Sequence, residues 1–260
     1  MPALAWHMAS VSLKTAISIM NLSCKLILLL AFSILLGSCT LVDVSDSPLI
    51  ICLNFDDGYQ EVYQNALPIL GKYGIKATCF VNSGTVGEPV IMTWEELSEL
   101  KNTHGWEIGA HGYSHPNLSE LSLEEARAEI ELDLFLFRDK GFDPKSFALP
   151  YGICPQDYLS LIRARYQNIR STNDLAMHRP IDRLNLSYFP FHHGWTAQII
   201  QDRILQAMAD KEALLIIGFH QVGASENWQD CAPATLEQIC RFIAKKGLKT
   251  MTIREAMKEF

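Results

Sequence analysis

Leu49-Ile50-Ile51-Cys52-Leu53-Asn54-Phe55-Asp56-Asp57-Gly58 is the stretch that decides the fold. Residues 49–55 are apolar apart from Asn54, which reads as a strand buried on both faces. Two adjacent carboxylates close that strand. Unpaired charge is costly next to an apolar core, so the pair implies a metal ion or a proton to handle.

Strand-like and helix-like segments alternate from there to the end. A helix is expected over 61–73 and a strand over 77–81. Thr93-Trp94-Glu95-Glu96 opens a helix as a capping box, with Gly105 beyond its end. A short strand follows at 107–110. Ser122-Leu123-Glu124-Glu125 is a second capping box, and Ala126, Ile130, Leu134 and Phe137 then share one helical face. Further strands are expected at 146–149, 168–171, 184–189 and 213–219, with helices at 156–166, 197–209 and 234–246. Such alternation implies an α/β fold, a parallel sheet or barrel covered by helices. No internal repeat or domain boundary follows Pro48.

About fifty residues beyond the aspartates stands His111-Gly112-Tyr113-Ser114-His115-Pro116. Two histidines and one aspartate make a three-ligand set that leaves a coordination position open, as catalytic zinc sites do. The same set suits non-haem iron, so ligand type leaves the metal open. In parallel α/β folds the site lies at the carboxyl ends of the strands. Asp56 and Asp57, then His111 and His115, then Pro150-Tyr151-Gly152, then His220 all follow expected strands, and four clusters converge on one rim.

The first 39 residues contain Lys14 and Lys25 and no acid, and 26–36 are apolar apart from Ser33. That run is too short to span a membrane and has the form of a secretory signal. Leu36-Gly37-Ser38-Cys39 resembles the lipobox of bacterial lipoproteins, which implies a signal peptide over 1–38, starting at Met1 or Met20, and lipidation at Cys39. A polar tether over 39–48 and a domain over 49–260 would follow. The expected location is the bacterial envelope, in the periplasm or at the outer membrane, with the membrane as a partner through the anchor. Without 1–38 the 22 basic residues fall to 20 against 29 acidic ones. A net charge near −9 argues against nucleic acid. Cys52 and Cys79 read as buried small hydrophobes, and Cys240 shares an apolar helical face with Leu236, Ile239 and Ile243.

The motifs together resemble the polysaccharide deacetylase family, also called NodB homology domains or carbohydrate esterase family 4. Asn54-Phe55-Asp56-Asp57-Gly58 is similar to its first motif and His111 to Pro116 to its second. Phe147-Ala148-Leu149-Pro150-Tyr151-Gly152 is similar to its third, and Leu215 to His220 to its fifth. The resemblance implies a distorted (β/α) barrel with fewer than eight repeats and a metal-dependent removal of acetyl groups from an N-acetylated glycan. By position, Asp57, His111 and His115 would hold one divalent ion, zinc first, with cobalt, nickel or iron as alternatives. Asp56 would be the general base, His220 the general acid, and the Tyr151 backbone N–H an oxyanion donor. Pro150, Trp195 and Tyr113 are candidate substrate contacts, and a monomer is expected.

Two departures bear on that reading. Ala148 stands where the family usually has an arginine that pairs with the base, a feature shared with exopolysaccharide (poly-N-acetylglucosamine) deacetylase branches, so Asp56 is expected to lack its partner. The fourth motif, an Asp-Trp pair, has no clean match; Phe191-His192-His193-Gly194-Trp195 supplies the Trp alone. The alternatives are a glycan-binding lipoprotein that kept the fold and lost turnover, and a metal amidohydrolase acting on a small amide.

Overall fold

The computed structural model describes residues 48–223 and 230–260, which belong to one compact unit, Asp46–Phe260. The expected signal segment, the lipid site Cys39 and the tether up to residue 47 lie outside the described residues. No helix among the described residues is long and apolar enough to cross a membrane.

β1 (Ile50–Phe55) is buried along its whole length and is the hub of the sheet. On one side it pairs with β2 (Ala77–Val81), followed by β3 (Glu107–Ala110), β4 (Ser146–Ala148) and β5 (Asn168–Arg170). On the other it pairs with β7 (Leu214–Phe219) and then β6 (Phe189–Pro190). A short β8 (Lys249–Thr250) joins the first residues of β1. Every pairing between these strands is parallel. The eight strands form one parallel sheet, seven along its path with β8 beside β1, and it curls into a half-barrel, the α/β fold expected from the alternation.

The helices between strands are α1 (Leu67–Lys72), α2 (Trp94–Asn102), α3 (Leu123–Asp139), α4 (Gln156–Arg163), α5 (Ala197–Ala209) and α6 (Pro233–Lys245). Both expected capping boxes form, Thr93 with Glu96 and Ser122 with Glu125. Alternating β1 side chains divide between two cores, as the two-residue period of a strand requires. Ile51, Leu53 and Phe55 pack with the helices, while Ile50 and Cys52 face the barrel interior with Leu214 and Ile216. Cys52, Cys79 and Cys240 are buried free thiols.

The amino ends of the strands are plugged. α7 (Ile253–Ala256) lies there, with Ile253 and Ala256 in the interior core. Its backbone N–H at Arg254 donates to the buried Glu107 carboxylate at 2.7 Å, which also accepts from Ser146 Oγ at 2.6 Å and Thr78 Oγ1 at 3.1 Å. With that end sealed and the Glu107 carboxylate satisfied, the carboxyl ends are left to hold a site.

Two expected elements differ. The helix over 61–73 begins as a π-type turn, Val62–Ala66, before α1. Pro68 lacks the N–H that an unbroken α-helix would use there, and the wider turn comes just before it. The strand over 184–189 shrinks to β6 and one bridge between Leu186 and Arg170. Its backbone divides its bonds among different partners. Leu186 N donates to Ile169 O, Tyr188 N to Asn173 O, and Ser187 N to the Met177 sulfur.

Candidate active site

The β1 end places both aspartates. Asp56 N donates to Phe219 O at 2.9 Å, which ties the ends of β1 and β7 together and brings His220 alongside. Asp56 is 2% exposed. Asp57 then turns into the left-handed region at φ 68, which aspartate tolerates better than most residues. His115 (φ 59) and Tyr151 (φ 55) share that conformation. Three uncommon backbone conformations on one rim are the sort of local strain that gathers at functional sites.

His111 follows β3 and is fixed on three sides. Its N–H donates to Val81 O at 3.0 Å, and its carbonyl accepts from Asn82 Nδ2 at 2.7 Å. Its Nδ1 lies 2.8 Å from Ala148 O on β4. Burial pulls the His111 ring down to about 3, so it is neutral at ordinary pH. Burial also lowers His115, whose ring centroid is 4.7 Å from that of His111 and 4.7 Å from that of Tyr151.

Asp57 Oδ1 lies 3.7 Å from Nε2 of His111 and 3.7 Å from Nε2 of His115. These distances are too long for hydrogen bonds. They suit three atoms that each lie about 2 Å from one ion. Asp57 Oδ1 is buried without a hydrogen-bond partner, an expensive state for an acceptor. Burial, with Asp56 close by, pushes the Asp57 carboxyl up to about 6 against the pull of His220. The donor set therefore fits a divalent cation: two neutral imidazoles and a carboxylate with an unsatisfied oxygen, the only such group of three among the described residues.

Asp56 is in the opposite electrostatic state. Burial disfavours its charge, but the Arg170 guanidinium, with His111 and His220, outweighs that and holds its carboxyl below the usual range. Arg170 Nη2 donates to Asp56 Oδ2 at 2.6 Å, with both side chains almost wholly buried. This corrects the expectation that Asp56 lacks a partner: the arginine comes from β5 instead of β4. His220 Nε2 lies 3.9 Å from Oδ2 of Asp56 and 3.9 Å from Oδ2 of Asp57, and burial lowers its pKa.

A cavity of about 420 Å³ opens over these groups. Asp56, Asp57, His111, His115, Tyr151 and His220, six of the candidate residues, line it together. Its walls also hold Arg170, Tyr188, Thr172 and Asp230, which the sequence reading did not single out. A charged residue at 170, inside a segment read as a strand, was the available signal. The other three candidates sit outside the lining. Trp195 packs on Phe189 and His192 at 5.6 and 4.7 Å between ring centroids. Tyr113 lies across Gly84, and Pro150 is buried at the start of the turn that carries Tyr151.

The family model for polysaccharide deacetylases matches residues 43–167. The poly-beta-1,6-N-acetyl-D-glucosamine N-deacetylase of Staphylococcus aureus (strain MRSA252) is 34% identical over 127 residues, 44% of this chain and 44% of that protein. A putative polysaccharide deacetylase of Bacillus subtilis (strain 168) is 32% identical over 111 residues, 43% of this chain and 39% of its own. The matches thus span less than half the length of these relatives. Among solved structures, the Xyl-CE4 domain of a multidomain xylanase from the hindgut metagenome of Trinervitermes trinervoides has a TM-score of 0.59. It is 22% identical and covers 82% of this chain and 91% of its own. An acetyl xylan esterase from Clostridium thermocellum, solved with a cobalt ion, has a TM-score of 0.58 at 20% identity, covering 81% and 91%. These two likenesses concern the fold.

Proposed function

Over residues 43–167 the chain belongs to the polysaccharide deacetylase family, and from that premise we propose that the protein is a metal-dependent hydrolase that removes acetyl groups from an N-acetylated glycan. The observation that carries this reading is the buried, unpartnered Asp57 Oδ1 facing Nε2 of both His111 and His115, with Asp56 and His220 on the same cavity wall. Asp57, His111 and His115 would hold the ion, zinc being our first choice. When bound, it supplies a Lewis acid that polarises the acetyl carbonyl and makes water easier to deprotonate.

The chain's own groups divide the remaining work. Arg170 occupies Oδ2 of Asp56, and Oδ1 has no hydrogen-bond partner, so Oδ1 is the atom that accepts the proton of the attacking water. Its low pKa keeps Asp56 ionised and ready to do so. His220 Nε2 faces both aspartates and is the group placed to protonate the departing amine. The N–H of Tyr151, aimed by the left-handed turn, is assigned to the carbonyl oxygen as negative charge grows there. One such donor is worth on the order of 3 kcal/mol in the transition state.

The name of the S. aureus relative supports a polymer of N-acetylglucosamine as substrate. The Arg170–Asp56 pair removes the main argument for a protein without turnover, since the base has its partner. We further propose that Cys39 is lipidated and holds the domain at the bacterial envelope; Cys39→Ala should abolish incorporation of labelled palmitate.

Acetate release from a panel of acetylated glycans, with zinc or cobalt supplied, tests the activity. Wild type should release acetate, and Asp56→Asn and His220→Ala should each lose most of it while still binding metal. Failure of wild type to bind metal, or to release acetate from any acetylated glycan, would remove the reading. Release from small amides alone would transfer it to the amidohydrolase class.

A further inference from the structure

Ala148 and Arg170 are direct partners in the register of β4 and β5. Partners in a parallel pair present their side chains to the same face of the sheet, and both of these residues face the barrel interior. The short side chain at 148 leaves that side of the interior open, and Arg170 is the largest of the fully buried side chains. Its guanidinium carbon stands 4.3 Å from the ring centre of Tyr188 and 5.2 Å from that of Phe80. Tyr188 is 2% exposed. Its ring occupies the space beside Gly218, where a Cβ would come within 1.6 Å of Tyr188 Cε2. A glycine on β7 thus makes room for an aromatic ring, the ring backs a guanidinium on β5, and the guanidinium holds a carboxylate at the end of β1.

We infer that Arg170, clamped by the rings of Tyr188 and Phe80 in the space left by Gly218 and Ala148, is the positioning residue that fixes Asp56 with Oδ1 turned toward the cavity. The inference rests on the proposed deacetylase activity, with Asp56 as its base. A carboxylate one methylene from the backbone has few rotamers but two equivalent oxygens, and engaging one of them selects the other for chemistry. The planar fork of arginine does this with direction, which a lysine ammonium does not. A cation over an aromatic face is also held by the ring's quadrupole, so the ring matters more than the tyrosine hydroxyl.

The test compares the intact protein with Arg170→Gln, Arg170→Lys, Tyr188→Phe and Tyr188→Leu, reading bound metal, kcat and KM for acetate release, and the crystal structure around Asp56. Arg170→Gln should keep its metal and a KM within about threefold of wild type while kcat falls on the order of 100-fold. Arg170→Lys should fall about as far, because charge alone does not orient the carboxylate. Tyr188→Phe should stay within about threefold of wild type, and Tyr188→Leu should lose about tenfold in kcat. Should Arg170→Gln fail to fold, the two Tyr188 variants still decide, since they leave the buried ion pair intact. Full kcat in Arg170→Gln, or equal kcat in Tyr188→Phe and Tyr188→Leu, would overturn the inference. Loss of metal from Arg170→Gln would also overturn it, by making the arginine a support of the ligand set. If wild type releases no acetate, the activity reading fails by itself. The crystal structures then decide: an Asp56 carboxylate unmoved in Arg170→Gln overturns the inference, and one that rotates upholds it.

Discussion

His111 Nδ1 lies 2.8 Å from the carbonyl oxygen of Ala148. A carbonyl only accepts, so Nδ1 carries the proton and the Nε2 lone pair faces Asp57. The backbone of β4 therefore sets the tautomer of the proposed ligand His111, as partners behind metal-binding histidines commonly do. The position at which the sequence lacks an expected side chain contributes through its main chain.

Metal affinity should depend on that arrangement. His111→Ala should weaken zinc binding by on the order of 100-fold or more, measured by competition with a chromogenic chelator. Unchanged affinity would remove His111 from the ligand set. Any substitution at 148 that keeps the strand should leave affinity within a few fold, since only its carbonyl is used.

Asp57→Asn should exchange function for stability in the metal-free protein. The Asp57 carboxyl sits at about 6 in the folded chain, pushed up from 3.8 chiefly by burial. A raised folded pKa gives stability that is fully present below the unfolded value and is lost as pH climbs through 6. At pH 7 to 8 the metal-free wild type thus carries a penalty on the order of 3 kcal/mol. Asparagine tolerates φ 68 and does not ionise. Urea unfolding in chelator should show Asp57→Asn more stable than wild type at pH 7.5 and about equal at pH 4. Metal affinity of wild type should fall as pH drops through 6, because the ligand must be deprotonated. A stability difference that does not change with pH would contradict the assignment.

The parts of the fold that were legible in sequence were those with local causes. β1 announces itself through its apolar run, and the helices α2 and α3 through capping boxes whose partners are three residues apart. His111, His115 and the aspartates were legible because each follows a strand. Arg170 was not, because its meaning depends on the register that sets it opposite Ala148 and on a carboxylate 114 residues earlier. The segment around Leu186 misled for a related reason. Its apolar residues suit a strand, yet its backbone bonds are shared between β5, Asn173 and Met177, which no local pattern records. Trp195 matched a motif by spacing alone, and its packing against Phe189 was invisible until the chain was folded.

Ser122→Ala is a structural control. Ser122 Oγ accepts from Glu125 N at 3.3 Å, and Glu125 Oε2 accepts from Ser122 N at 2.8 Å, so the substitution removes one half of the box at the start of α3. It should cost about 1 kcal/mol of stability, read as a lower urea midpoint. kcat and KM should be unchanged, because the box lies outside the cavity lining. A change in kcat would mean that α3 reaches the site by a route other than its fold.

Gly152→Ala should damage both stability and turnover, and the two effects can be separated. Gly152 has φ 68, and its N–H closes the Pro150 turn onto Leu149 O at 2.9 Å. A Cβ there would lie 1.9 Å from Thr172 Oγ1 and 2.3 Å from Thr172 Cγ2. Alanine thus meets two obstacles, a left-handed backbone that costs it about 1 kcal/mol and a collision with Thr172. Either can be relieved only by moving the turn, and Tyr151 with its N–H moves with it. The single variant should lower kcat about tenfold or more with a smaller effect on KM. Pairing it with Thr172→Gly removes the collision but not the backbone strain, so the double variant should recover part of kcat and leave about 1 kcal/mol of the stability loss. Full recovery of both would assign the whole effect to Thr172. Recovery of neither would mean that the backbone conformation at 152 alone aims Tyr151.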